Sequence, residues 1–173
     1  MKTRQLSLIT LITGFLFSCS AIKDRAREKA DTDTQNWVYE LEAAGIGAQG
    51  TQLVKVWTYS KLPGIAIEQA KKNAVHGIIF RGYTSKTGIP GFRPMALNPN
   101  LEIERKDFFD PFFAEGGKYM KFVALSNEGR IAAEDRIKVG GRYKIGVVVT
   151  VYTTELRKDL ENAGIIRKLG SVF

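Results

Sequence analysis

The sequence predicts an α+β fold: a mainly antiparallel sheet with an alanine-striped helix and a C-terminal helix packed on one of its faces. Two segments, residues 53–59 and 142–152, alternate with the two-residue period of a strand. Between them, residues 65–80 repeat apolar side chains at the spacing of one helix face. The repeated residues are Ile67, Ala70, Ala74 and Ile78.

The segment around Val147 and Val149 is predicted to lie at the centre of the sheet, because a run so rich in β-branched residues fits a buried strand. Residues 37–43 and 119–126 also alternate and complete the sheet. The glycine-rich residues 45–50 are predicted to join the first two strands as a hairpin. The polar residues 130–139 fit either a short strand or a loop.

The C-terminal helix is predicted to begin at a threonine cap, at position 153 or 154, and to bury Leu156 and Leu160. Gly164 fits a left-handed C-cap, because glycine adopts a positive φ without a steric penalty. Ile165 or Ile166 would then pack back on Leu160 and close the end of the helix.

A long insert, residues 81–118, follows the first helix. Its first part is rich in glycine and proline, and a loop of this length is often functional. Phe92, Arg93 and Met95 are predicted to contact a protein partner, because aromatic residues, arginine and methionine are enriched in protein interfaces. The alternative is that Phe92 and Met95 fold inward onto the core.

The second part of the insert carries four phenylalanines in two pairs, and the members of each pair lie four residues apart and share a helix face. Asp110 and Pro111 are predicted to begin this helix, as N-cap and first-turn residue. Packing in the core is the favoured interpretation, and an apolar ligand pocket is the alternative. The phenylalanines are Phe108, Phe109, Phe112 and Phe113.

His76 is the only histidine, and it lies one helical turn after Lys72, which predicts a surface or boundary position. A general base is the alternative, but no nucleophile accompanies it. Glu102 and Glu104 provide carboxylates in no recognisable catalytic setting. The sequence therefore predicts no catalytic residue, no metal site and no cofactor.

The first nineteen residues have the order of a secretory signal peptide. Lys2 and Arg4 precede an apolar run, residues 6–17, that is shorter than the roughly 20 residues needed to span a bilayer. Residues 16–19 resemble the lipobox of bacterial lipoproteins. This resemblance implies a signal peptide at residues 1–18 and a lipid anchor on Cys19. An ordinary signal peptide with a chance cysteine is the alternative.

Residues 19–36 are polar and charged and are predicted to form a flexible tether. Residues 37–173 are predicted to form a single αβ domain that contains the insert. Ser20, and not an aspartate, follows the cysteine, which favours lipid anchoring in the outer membrane with the domain on the periplasmic side.

The net charge is +8, but the basic residues are scattered with no run of five or more, as on an ordinary solvated surface. No nucleic-acid partner is expected for an exported lipoprotein. Cys19 is the only cysteine, so that a chain lipidated there has no disulfide and no cysteine-based metal site.

The stretches AIEQAKKNA (66–74) and YKIGVVV (143–149), the latter running into LRKDL (156–160), resemble the small αβ domain in the N-terminal part of flagellar assembly protein T and related envelope lipoproteins. The whole mature chain is similar to uncharacterised lipoproteins of Bacteroidetes. Neither resemblance implies catalytic residues. We therefore expect a lipid-anchored, non-catalytic docking or scaffolding module for an envelope protein complex. A periplasmic small-ligand binder, or an enzyme of unknown chemistry, is the alternative.

Overall fold

The structure is a computed structural model that describes residue 34 and residues 36–140 and 142–170. Within the two longer ranges the chain forms five strands, four α-helices and two short 3-10 helices. The strands are β1 (Tyr39–Gly45), β2 (Gln52–Ser60), β3 (Val123–Leu125), β4 (Arg136–Val139) and β5 (Arg142–Val151). The α-helices are α1 (Pro63–Phe80), α2 (Leu101–Glu104), α3 (Lys106–Phe113) and α4 (Thr153–Asn162), and the 3-10 helices are Lys118–Phe122 and Ala133–Asp135.

The predicted signal peptide, Cys19 and most of the predicted tether lie outside the described residues. Thr34, near the end of that tether, is buried, and its carbonyl accepts a hydrogen bond from the backbone N–H of Trp37 at 2.9 Å. The packed part of the chain thus includes a residue that precedes the predicted start of the domain. Among the described residues, no helix is long and apolar enough to span a bilayer.

β5 is the central strand of one antiparallel sheet. It pairs with β2 along one edge, and β1 pairs with the far side of β2. Along its other edge β5 pairs with β4 through its first residues and with β3 through its last ones. This arrangement confirms the predicted α+β fold and the central position of the most β-branched segment.

The core lies between the inner face of the sheet and the helices. Val147 and Val149 of β5 face inward with no exposed surface, and Val56 and Val54 of β2 lie opposite them in register. The predicted alanine stripe of α1 packs against this face, and the core also contains Leu156 and Leu160 of α4, as predicted. Three of the four stripe residues, Ala70, Ala74 and Ile78, are buried in this core, and the fourth, Ile67, is half-buried against it.

The insert covers the side of α1 that faces away from the sheet. Phe109 of α3 packs edge-on against Phe80, with ring centroids 5.0 Å apart, and Phe113 approaches His76 at 5.7 Å. Because both sides of α1 are covered, almost all of its last three turns are buried, including the polar residues Lys72, Asn73 and His76. A helix that is buried on all sides has no solvent-exposed face, so that a polar residue in its sequence does not indicate a surface position.

Backbone hydrogen bonds join the insert to the C-terminal end of α1. The N–H groups of Met95 and Ala96 donate to the carbonyls of Ile78 and Ile79 at 3.2 and 2.8 Å. These carbonyls belong to the last helical turn, which has no intrahelical donors for them. The first part of the insert therefore caps α1 and is fixed to the domain.

The helix of the insert begins earlier than the sequence predicted. α3 starts at Lys106, so that Pro111 lies inside the helix and Asp110 is not its N-cap; instead, Asp110 forms an ion pair with Lys106 one turn before it. Three of the four predicted phenylalanines are buried and the fourth is half-buried, which confirms the core interpretation. The buried ones are Phe109, Phe112 and Phe113.

Of the two predicted caps of α4, the C-cap is confirmed and the N-cap is wrong. Gly164 has the predicted positive φ of 65°, and the N–H of Ile165 donates to the carbonyl of Leu160 at 2.9 Å, which confirms the C-cap. The predicted threonine N-cap is wrong, because the Thr153 hydroxyl donates to the carbonyl of Gly50 at 3.0 Å and makes no capping bond. That threonine ties α4 to the β1–β2 connection.

Candidate functional site

Trp37 leaves the sheet at the point where the sequence predicted a strand. β1 begins at Tyr39, and Trp37 has a φ of 47°, in the left-handed region that bulky residues rarely occupy. The turn places the indole ring against the His76 imidazole, with centroids 3.7 Å apart and planes inclined by 18°. The Arg81 guanidinium donates to the Trp37 carbonyl at 2.9 Å and fixes this turn.

His76 lies at the centre of a buried hydrogen-bonded chain, and the residue is only 2% exposed. Its Nδ1 lies 2.6 Å from the hydroxyl oxygen of Tyr39, and its Nε2 lies 3.1 Å from a carboxylate oxygen of Glu102. An ionised carboxylate can only accept, so Nε2 carries the proton and Nδ1 accepts from the Tyr39 hydroxyl. All three groups are then satisfied with a neutral imidazole.

The pKa values of these three groups agree with that assignment. Burial raises the pKa of the Tyr39 hydroxyl well above its ordinary value. Burial lowers the pKa of His76, against the opposing effect of Glu102. Burial alone would raise the pKa of Glu102, but hydrogen bonds from His76 and Trp37 and the charge of Arg81 outweigh it, and the pKa lies below the ordinary value. Near neutral pH the chain is therefore tyrosine, neutral imidazole and carboxylate.

A cavity of about 660 Å³ opens beside this chain, between α1 and the insert. The wall contributed by α1 is Lys72, a buried residue whose ammonium nitrogen lies 5.7 Å from the centre of the Trp37 ring. Burial lowers the pKa of Lys72 to about 8. The other lining residues include aromatic, acidic and basic side chains. Among them are Glu102 from α2, and Lys106, Phe109, Asp110 and Phe113 from α3.

The prediction that His76 lies at a surface or boundary position is wrong. The insert closes over the outer side of α1, and Trp37 stacks on the ring, so that the imidazole has almost no solvent contact. Sequence reasoning also missed Trp37 and Lys72. A signal did exist: Lys72, His76 and Phe80 recur every four residues and mark a second face of α1. The sequence does not show which segment packs against that face, so that the role of these residues could not be predicted from it.

The three predicted partner-binding residues occupy different environments. Met95 is 5% exposed and belongs to the core, which corresponds to the inward-folding alternative. Phe92 is half-buried against Tyr83, with ring centroids 6.1 Å apart, and its backbone pairs with that residue in both directions at 2.9 Å. Arg93 is exposed. Of the predicted set, only Phe92 and Arg93 are positioned to touch another molecule.

A second cavity, of about 720 Å³, lies near the start of α1. Gln69 and Asn73 line it, and an amide oxygen of each is buried without a hydrogen-bond partner in the described part of the chain. Both oxygens are closed to solvent, so that a ligand in this cavity would not reach them. The charged residues that line this cavity, Lys61 and Arg142, are exposed, so that its described lining contains no buried charge.

Within the described residues, no group of three or more histidine, cysteine, aspartate or glutamate side chains could hold a metal ion. No known protein-family model, curated protein or solved structure is detectably similar to the chain. The resemblance to flagellar assembly protein T and to envelope lipoproteins thus stays a prediction.

Proposed function

We propose that this chain is a lipid-anchored envelope protein whose domain is a non-catalytic docking module for another envelope protein. The lipobox-like setting of Cys19 supports a lipid anchor on this residue, and Ser20 after it supports the outer membrane, with the domain on the periplasmic side. The observation that supports docking is the division of the insert into a buried layer, which fixes it to α1, and an exposed layer with interface-type residues.

The exposed layer consists of Arg93 and Leu97, with the half-buried Phe92 beside Arg93, and we call these three residues the loop surface. The Leu97 side chain is 92% exposed, although Met95 and Ala96, immediately before it, are buried and hydrogen-bonded to α1. Because the backbone on the inner side is already fixed, binding through this surface orders few residues and keeps the entropic cost low. An arginine beside apolar side chains is also the composition of interface hot spots.

The arrangement around His76 supports the non-catalytic part of the proposal. Both ring nitrogens are occupied, by the Tyr39 hydroxyl and the Glu102 carboxylate. The imidazole is also covered on one face by Trp37. A general base must reach a substrate proton directly or through one water. We therefore assign this histidine to holding Trp37 and Glu102 in place.

Docking can be tested by recovering the full chain from membranes solubilised in mild detergent, with wild type and variants at equal yield. We expect Arg93→Ala with Leu97→Ser to reduce a co-purifying envelope protein at least tenfold, with an unchanged melting temperature. The matched control is Ile46→Ser, since Ile46 is 79% exposed and lies in the β1–β2 connection, outside the insert. A protein captured equally by both variants, or lost in both, would contradict the loop surface as the docking site.

A second candidate function, small-ligand binding in the periplasm, is favoured by the cavity beside Trp37. Pockets that bind small molecules combine apolar walls with a few polar groups, at volumes of about 300–1,000 Å³. The cavity has this size, aromatic walls and a buried lysine. The strained backbone at Trp37 lies at its edge, and such strain concentrates at ligand sites.

A further inference from the structure

β4 is exposed along its whole length, whereas each of the other four strands has buried residues. All described residues from Arg136 to Arg142, which form the end of the β4–β5 hairpin, are exposed. Ile137 and Val139 are 46% and 47% exposed, and they lie on the outer face of the sheet, in register with Lys144 and Arg142 of β5. Two aliphatic side chains thus stand in water at the edge of the sheet.

The same hairpin carries two cations that its described neighbours leave without a counter-charge. Lys138 and Arg142 are exposed, and neither forms an ion pair with a residue in the described part of the chain. Lys144, further along β5, is different, because its ammonium pairs with Glu40 at 2.6 Å. The uncompensated charge is therefore concentrated at the end of the hairpin.

The second cavity extends this surface past the end of β2. Arg142 lines the cavity together with Val38, Lys61 and Leu62, and its described lining contains no carboxylate. Val38 and Leu62 are 61% and 58% exposed. Four exposed aliphatic side chains and three exposed cations thus lie at one end of the sheet. We call this group the end surface, which consists of Val38, Lys61, Leu62, Ile137, Lys138, Val139 and Arg142.

We propose that the end surface contacts an anionic lipid bilayer, as a second membrane contact in addition to the proposed lipid anchor. Aliphatic side chains among lysine and arginine suit such a bilayer, because the apolar groups enter the interface and the cations attract the lipid phosphates. Protein interfaces, by contrast, are depleted in lysine. The proposal rests on the proposed function for a location beside a membrane, but the binding itself rests on the end surface alone.

The end surface and the loop surface lie at opposite ends of β2. At one end, Ser60 is in register with Tyr143, the residue that follows Arg142. At the other end, the hydroxyl of Tyr83, which packs against Phe92, donates to the side chain of Gln52. The nine residues of β2, with a rise of about 3.3 Å each, separate these ends by roughly 25 Å. A bilayer at the end surface thus leaves the loop surface open to a protein partner.

The test measures co-sedimentation with vesicles of phosphatidylcholine, and with vesicles of equal parts phosphatidylcholine and phosphatidylglycerol. Every arm uses the full chain carrying Cys19→Ala, so that no acyl chain contributes and the N-terminal residues contribute equally. Each cation near an anionic bilayer contributes about 1 kcal/mol, so that Lys138→Gln with Arg142→Gln should weaken binding to the anionic vesicles roughly tenfold or more. Binding to the neutral vesicles should stay nearly unchanged.

The matched control is Lys121→Gln with Lys158→Gln, which removes the same charge from two exposed lysines, on a 3-10 helix and on α4. This control should keep the wild-type preference for anionic vesicles. A further variant, Ile137→Ser with Val139→Ser, keeps every charge and should weaken binding to both kinds of vesicle several-fold, because two apolar side chains no longer enter the interface. All these side chains are exposed, so that the melting temperatures should stay close to that of wild type.

Equal losses in the hairpin variant and its lysine control would show that net charge alone drives binding, and would overturn the proposal. A hairpin variant that binds both vesicles like wild type but loses a co-purifying acidic protein would also overturn it, since the end surface would then be a protein contact. Unchanged binding of the serine variant would overturn the entry of Ile137 and Val139 into the bilayer. None of these results alters the tests of lipidation at Cys19 or of docking through the loop surface.

Discussion

Trp37 shows how a single residue organises the candidate site. A bulky side chain at positive φ costs about 1–3 kcal/mol, so other contacts must offset that cost. The indole stacks on the His76 ring, and the backbone carbonyl of Trp37 accepts a hydrogen bond from Arg81. The strained turn thus directs the tryptophan to the cavity instead of continuing β1 by two residues.

The buried imidazole of His76 makes stability depend on pH. Its pKa in the folded protein is below the value of about 6.5 expected when unfolded, so the unfolded chain binds the proton more readily. The resulting stability is complete above about pH 6.5 and declines as the pH falls below it. We expect urea denaturation to give a lower free energy of unfolding at pH 5 than at pH 7.5.

His76→Phe is the matching variant, because it keeps an aromatic ring against Trp37 and removes the titration. It should lose about 1–3 kcal/mol at pH 7.5, since the Tyr39 hydroxyl loses its acceptor. Its stability should then be nearly constant between pH 7.5 and pH 5, because this is the only histidine in the chain. A wild-type protein equally stable at both pH values would contradict the buried neutral imidazole.

Gly146 of β5 lies directly beneath Trp57 on the outer face of the sheet. A Cβ at this position would lie 3.1–3.2 Å from three atoms of the indole ring. We expect Gly146→Val to displace the ring, to break its hydrogen bond to Glu42 (2.9 Å) and to cost about 1–3 kcal/mol. In a Trp57→Ala background, thermal denaturation should show that the same substitution costs almost nothing. If Gly146→Val lowers the stability by the same amount in that background, the clash is not with the Trp57 ring.

At the scale of elements, β5 decides whether the sheet forms. Val147 is fully buried on the inner face, whereas Val148 lies on the outer face, opposite Lys55 of β2. Val147→Asp should cost several kcal/mol, because it buries a charge without a partner, and this approaches the whole stability of a small domain. Val148→Asp should cost far less, since its carboxylate faces water and a lysine. Equal melting temperatures for the two variants would contradict the inner and outer assignment.

We expect substitutions in the buried layer of the insert to lower the free energy of unfolding, and substitutions in its exposed layer to leave it nearly unchanged. Met95→Ala removes a buried side chain and is expected to cost about 2–5 kcal/mol. Arg93→Ala, two residues earlier and exposed, should stay within about 0.5 kcal/mol of wild type. Chemical denaturation measures both. If Met95→Ala melts like wild type, the insert is not fixed to the core through this residue.

The elements divide into those that local sequence determines and those that a distant segment determines. The two-residue period of β2 and β5, and the glycine at the end of α4, reflect physics within a few residues, and the sequence predicted them. The N-terminal end of α4 and the burial of His76 depend on contacts across the fold. Thr153 binds Gly50, about a hundred residues away, and no local pattern contains that contact.

At the scale of the whole molecule, α1 is the middle layer between the sheet and the insert. The sheet face of α1 builds the core, and its other face, with Lys72 and His76, builds the cavity. Thr34, the first of the described residues, also lines this cavity. The loop surface is on the insert as well, so that the cavity and the loop surface are joined through one layer.

The proposed lipid anchor on Cys19 would decide where the whole molecule is held. Several acyl chains, each contributing about 0.8 kcal/mol per buried CH₂ group, would hold Cys19 firmly in a bilayer. Cys19→Ala should therefore give an uncut, unlipidated precursor, whereas Ser18→Ala, which keeps a small residue before the cysteine, should be processed normally. Mass spectrometry of the N-terminal peptide and partition into detergent measure both effects. A wild-type chain whose mature N-terminus lies elsewhere and carries no lipid would show that the cysteine is not an anchor.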